Sequence, residues 1–106
     1  MDEVDGGYDE YDNCTGHAGS AANVVLITKN EIYCANAGDC RAVLSKRGGK
    51  TINLSDDHKP DNPGEKQRIE RANGFVLEKR VNGNLALSRS LGDFEYKGNT
   101  VLKAKD

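Results

Sequence analysis

The stretch NAGDCRAVLS, residues 36 to 45, joins two short apolar runs at Gly38-Asp39 and places Arg41 just past the bend. A two-residue Gly-Asp link signals a hairpin, because glycine reaches positive φ without steric cost. The flanking runs EIYCANA (31 to 37) and CRAVLSK (40 to 46) are therefore read as two antiparallel arms. Upstream, SAANVVLIT (20 to 28) passes from small to β-branched residues over a length that fits a strand buried on both faces, and Lys29-Asn30 breaks it. Residues 20 to 46 are thus expected to form a three-stranded antiparallel meander. Alternation along it is weak: Ile32 and Cys34 point one way, Tyr33 and Ala35 the other, and all four tolerate burial. A sheet covered on both faces is implied.

Beyond the meander, Arg47-Gly48-Gly49 makes a turn and KTINLS supplies a short fourth strand. In SDDHKPDNPGEKQRIERANG, Asn62 is placed as an N-cap and Pro63 as the first helical residue, where its missing N–H is no loss. Glu65 in the first turn and Arg71 in the last both complement the macrodipole, and Gly74 is read as the stop. Ile69 and Ala72, with the stems of Lys66 and Arg68, form a narrow apolar stripe, so this helix rests on a surface. FVLEKRV reads as a short strand or a hairpin with a turn at Asn82-Gly83; LALSRSL fits a brief helical turn or an extended segment. The tail GDFEYKGNTVLKAKD is polar and lacks a clear period.

A chain of 106 residues holds one domain or part of one. Fifteen Lys and Arg against 17 Asp and Glu give a net charge of -2, which supplies no general pull toward nucleic acid or an anionic membrane. Residues 1 to 12 hold six acids and no base, so 1 to 18 is expected to be an acidic, disordered lead-in, and 19 to 106 the structured part. Cys14, Cys34 and Cys40 neither pair evenly nor show a C-x-x-C spacing, which points to a reducing compartment, cytoplasmic or nuclear. No run approaches the roughly 18 apolar residues of a membrane span.

Familiar catalytic constellations are missing. His17 and His58 are too far apart for an H-x-x-x-H metal pair, and there is no G-x-x-x-x-G-K-[ST] phosphate loop. What remains are carboxylates on tight turns: Asp39, Asp56-Asp57, Asp61 and Asp93. An Asp beside a Gly serves turn chemistry by bonding nearby amides. The same Asp at a strand end is also a hard oxygen ligand suited to Mg²⁺ or Mn²⁺. Arg41 has two readings as well, a structural partner to a carboxylate or a phosphate clamp. Arg89, set within the small, apolar LALSRSLGD, is either a solvated side chain or a functional one.

Four segments together resemble the middle of the metal-dependent protein serine/threonine phosphatases of type 2C, the PPM family: GSAANVVLI (19 to 27), YCANAGDCRAVLS (33 to 45), LSDDHKPDNPGEKQRIERANGFV (54 to 76) and RVNGNLALSRSLGDFEYK (80 to 97). The resemblance implies an α+β fold, part of an αββα sandwich of two antiparallel sheets flanked by helices and incomplete in this chain. It implies a phosphoprotein substrate, two Mg²⁺ or Mn²⁺ ions and a metal-bridging water that attacks phosphorus in line. By resemblance, Asp39 corresponds to an aspartate associated with an additional, more weakly held metal. Arg89 falls at the start of a flap that helps choose substrates. The family's D-G-H-G-G segment is missing upstream of the first strand; GHAGS at 16 to 20 lacks the leading Asp. The downstream D-G and D-N motifs are missing too, so the chain is expected to be a fragment without the binuclear site, inactive alone, with no catalytic residue assigned. The alternative is a noncatalytic module that pairs, with another copy or another chain, through exposed strand edges.

Overall fold

The computed structural model describes residues 18 to 98. In chain order the elements are β1 (Gly19–Ser20), β2 (Ala22–Ile27), β3 (Ile32–Ala37), β4 (Val43–Ser45), β5 (Thr51–Asn53), α1 (Pro63–Arg71), β6 (Val76–Leu77), β7 (Arg80–Val81) and β8 (Leu91–Gly92), with a 3₁₀ turn at Phe94–Tyr96. The class is α+β, and every strand pair is antiparallel: β1 with β8, β2 with β3, β4 with β5, and β6 with β7. The acidic lead-in read over 1 to 18, apart from Ala18, lies outside the described residues, as does the tail beyond Gly98.

The meander expected over 20 to 46 is only half formed. The β2–β3 hairpin is present, in register from Ala22↔Ala37 to Ile27↔Ile32, and closes through Thr28, whose N–H donates to the Glu31 carbonyl at 2.8 Å. But β4 leaves β3 and pairs with β5, so Gly38-Asp39 is not a hairpin tip. The reason lies in where the Gly38 backbone bonds go. Its N–H donates to His58 Nδ1 at 2.9 Å and its carbonyl accepts from the His58 N–H at 2.9 Å. Gly38 has φ 121, and a Cβ there would stand 2.6 Å from the Ala21 Cβ, so the bend needs glycine for both conformation and space.

Helix α1 begins as read, with Asn62 at the N-cap and Pro63 at N1. The Asn62 side chain, however, does not cap it: Nδ2 donates to the Asp57 carbonyl at 2.8 Å, bracing the preceding loop. At the other end Asn73, not Gly74, takes the left-handed conformation, with φ 65. Asn73 N–H then donates to Glu70 O at 3.0 Å and Gly74 N–H to Ile69 O at 2.9 Å, a Schellman closure. Ile69 is buried, 7% exposed, and holds α1 against the β6 region. The β6–β7 hairpin turns at Glu78-Lys79, φ 51 and 63, while Asn82-Gly83, φ 51 and 77, makes a separate turn just after it. LALSRSL contains no helical turn, and Leu91–Gly92 pairs back to Gly19–Ser20 in a strand pair the sequence reading missed.

Burial on both faces of β2–β3 is not found among the described residues. Val24 is 62% exposed and Ile27 72%, on opposite faces of the hairpin, because α1 packs at β6 and, among the described residues, no helix lies across β2–β3.

Candidate functional site

Three loops converge at the C-terminal end of β3: the Gly38-Asp39 bend, the segment from Ser55 to Pro60, and the segment Leu87 to Ser90. Two asparagines opposed across the hairpin hold the first pair together. Asn23 Nδ2 donates to Asn36 Oδ1 at 3.0 Å and to Ser55 Oγ at 3.2 Å; Asn36 Nδ2 donates to the carbonyls of Gly38, at 3.1 Å, and Asp56, at 2.9 Å. Polar side chains thus satisfy backbone carbonyls where the ladder ends. His58 joins the third loop, since its carbonyl accepts from the Ser88 N–H at 3.0 Å. With Nδ1 accepting from Gly38, the ring carries its proton on Nε2. Pro60, fully buried, pins the loop beyond it.

On this frame the two charged residues of the stretch 36 to 45, Asp39 and Arg41, go to different partners. Arg41 forms a fork on Asp57, Nε to Oδ1 at 3.1 Å and Nη2 to Oδ2 at 2.7 Å. That pair of hydrogen bonds holds the Asp57 carboxyl below its ordinary range. Asp39 Oδ2 accepts from Lys59 Nζ at 2.9 Å. Arg41 therefore takes the structural of its two readings here.

Arg89 lies across the third loop, gripped by Glu65: Nε to Oε2 and Nη2 to Oε1, each at 3.0 Å. Glu65 Oε2 also accepts from Ser88 Oγ at 2.6 Å and from Arg68 Nη2 at 3.1 Å. Arg68 Nη2 donates to the Ser88 carbonyl as well, at 2.5 Å. A cavity of about 740 Å³ opens beside this cluster, with Asn36, His58, Arg68, Ser88, Arg89 and Lys97 on its polar wall. Lys59, Glu65 and the role of His58 were not legible in the sequence; Glu65 read only as an acid in a first helical turn, because its other partners lie 23 and 24 positions away.

Asp39 and Arg89, the two site residues singled out by sequence, both belong to this convergence. The described residues do not by themselves make a metal centre. Among the described residues no three of His, Cys, Asp or Glu come together as a ligand set, and the Asp39 carboxylate is met by an ammonium.

A protein-family model described as Protein phosphatase 2C matches residues 5–105. The chain belongs to the protein phosphatase 2C family. Members of that family are phosphatases, and so hydrolases. This phosphatase 2C chain is 56% identical over 99 residues to Probable protein phosphatase 2C 2 of Paramecium tetraurelia, with 93% of the chain and 33% of the relative covered. It is 55% identical over 87 residues to Protein phosphatase 2C homolog 3 of Schizosaccharomyces pombe, covering 82% of the chain and 21% of the relative. Its fold is similar to a crystal structure of a phosphatase from a pathogenic strain of Toxoplasma gondii, with a TM-score of 0.60 at 30% identity, over 81% of the chain and 38% of that structure. The chain spans about one third of the length of the Paramecium relatives it matches. The similarity at both levels agrees with the α+β class and with part of an αββα sandwich.

Proposed function

We propose that the chain is the central part of a phosphoprotein phosphatase that hydrolyses phosphoserine and phosphothreonine with Mg²⁺ or Mn²⁺. The family match over 5–105 carries this reading. It is supported by the convergence of the Asp39 bend, the His58 loop and the Arg89 segment at one end of β3. On this reading Asp39 faces the additional, weakly held cation and Arg89 lies on the substrate side at the start of the flap. The binuclear centre is supplied by parts of the phosphatase domain other than those described, which agrees with the one-third coverage of the Paramecium relatives. The chain alone is then inactive.

The test is hydrolysis of p-nitrophenyl phosphate and of a phosphothreonine peptide with and without millimolar Mn²⁺. The 106-residue chain is expected to show no turnover. A polypeptide in which the same residues are extended to the full length of the relatives is expected to show Mn²⁺-dependent turnover. Silence from the extended protein removes the phosphatase reading; metal-dependent turnover by the short chain removes the claim that its site is incomplete.

A second reading, a noncatalytic module that pairs with a second copy, is favoured by one observation. Val24, Leu26 and Ile27 are 62, 59 and 72% exposed on a two-stranded sheet whose outer edges are unpaired among the described residues.

A further inference from the structure

The cavity beside the Glu65 cluster is lined both by cations and by aliphatic side chains. Arg68, Arg89 and Lys97 supply the first kind, and Ile69, Leu85 and Leu87 the second. Its volume, about 740 Å³, falls in the range of roughly 300–1,000 Å³ that ligand pockets occupy.

The charges around it do not balance. Arg68 and Arg89 share one carboxylate, that of Glu65, which accepts from Arg68 Nη2 at 3.1 Å and from the Arg89 fork at 3.0 Å. Lys97 Nζ donates to a neutral acceptor, the Ser90 carbonyl, at 2.7 Å. Glu95, the one acid among the described residues that line the cavity, is exposed, and water screens it. Two positive charges thus exceed the buried negative charge at this place. Donors accompany them. Arg68 Nε is buried and has no acceptor among the described residues, a costly state for an N–H. His58 also lines the cavity, and its ring, with Nδ1 accepting from Gly38, keeps its donor at Nε2.

We propose that this cavity is a docking site for the phosphate group of a phosphorylated peptide. A phosphate monoester carries about −1.5 to −2 charges at pH 7, which matches the surplus, and it offers acceptor oxygens to guanidinium, ammonium and imidazole N–H groups. The aliphatic lining favours a peptide over the bare ion, because an apolar residue beside the phosphate is removed from water there. Asp39 is not among the lining residues, so a phosphate seated here anchors the ligand and is not the group that meets the Asp39 bend. Docking of this kind needs no metal and stands or falls separately from hydrolysis.

The experiment is isothermal titration calorimetry of the 106-residue chain in EDTA with three probes: inorganic phosphate, a peptide with leucine on either side of a phosphothreonine, and the same peptide unphosphorylated. Wild type is compared with Lys97→Met and Lys97→Gln, and with Lys50→Met, which removes an exposed charge just before β5 that does not line the cavity. Circular dichroism selects the variants that keep the fold, and either Lys97 substitution suffices. The phosphopeptide is expected to bind at least about ten-fold more tightly than either other probe. Loss of the Lys97 charge should lower that affinity about ten-fold, the order of one charge-assisted hydrogen bond, while Lys50→Met leaves it unchanged. Equal binding of the two peptides overturns the proposal, as does a phosphopeptide affinity that falls no further in the Lys97 variants than in Lys50→Met. Inorganic phosphate that binds as tightly as the phosphopeptide assigns the cavity to the free anion and overturns the peptide.

Discussion

At Glu65 one carboxylate collects donors from Ser88, Arg89 and Arg68, and its side chain is only 15% exposed. Burial pushes its carboxyl up, but the hydrogen bonds from Arg89 and Ser88 and the charges of Arg68 and Arg89 outweigh burial and hold it at about 2, against an ordinary 4.5. A carboxyl whose folded value is depressed contributes stability that is full above about 4.5 and is lost as pH falls toward about 2. Glu65→Gln keeps an acceptor but removes the charge. It is expected to cost about 1–2 kcal/mol at pH 7, discounted for the solvent that screens Arg89, and to flatten the loss of stability between about pH 5 and 2. Urea unfolding at pH 7, 4 and 3 checks it; parallel pH profiles for the two proteins would show that the charge is not what fastens the 85–92 segment to α1. None of this was legible at Glu65 itself, because an acid in a first helical turn has a sufficient local explanation. Asp39 was legible as a turn carboxylate, but its Lys59 partner came from a loop 20 positions away.

Helix α1 is nine residues long, too short to hold itself, and depends on the one side chain it buries. Ile69→Ala is expected to cost about 2–4 kcal/mol, the range for truncating a buried aliphatic side chain. It should also lower amide-exchange protection at Gly74, whose N–H bonds the Ile69 carbonyl and whose own space is bounded by Ile69 Cγ2, 3.0 Å from where a Cβ would lie. Thermal unfolding and hydrogen exchange check both, and unchanged midpoints would mean that α1 is held elsewhere. The helix was readable because Pro63, Glu65, Ile69 and Arg71 are local signals that agree. Its stop was displaced by one residue because Asn73, not Gly74, takes the left-handed conformation, while Gly74 sits tightly against Ile69. The β6–β7 hairpin was misplaced for a related reason: Glu78 and Lys79 adopt positive φ, which their side chains do not announce, while Asn82-Gly83 announces a turn that the chain also makes. Most costly was Gly38-Asp39. A Gly-Asp link does permit a hairpin, and only the long-range bonds to His58 decide that β3 and β4 part company.

Across the whole molecule, apolar strands and sparse burial stand side by side. On one face of the β2–β3 hairpin, Val24 and Leu26 stand with Tyr33; on the other, Val25 and Ile27 stand with Ile32; and each of the six is more than 40% exposed. The strands therefore carry the composition of a sheet covered on both sides without such a cover among the described residues, which agrees with the one-third share of the relatives' length. On the reading of a module that pairs with a second copy, the chain is expected to associate with itself through this hairpin, since an apolar edge that is unpaired among the described residues is a template for another strand. Sedimentation velocity over a hundred-fold concentration range is expected to show a shift to larger species. Val24→Lys with Leu26→Lys should suppress it at little cost to stability, because those side chains are exposed already. A wild-type chain that stays monomeric throughout would remove self-pairing as its role and leave the open hairpin faces as surfaces for the rest of a phosphatase 2C domain.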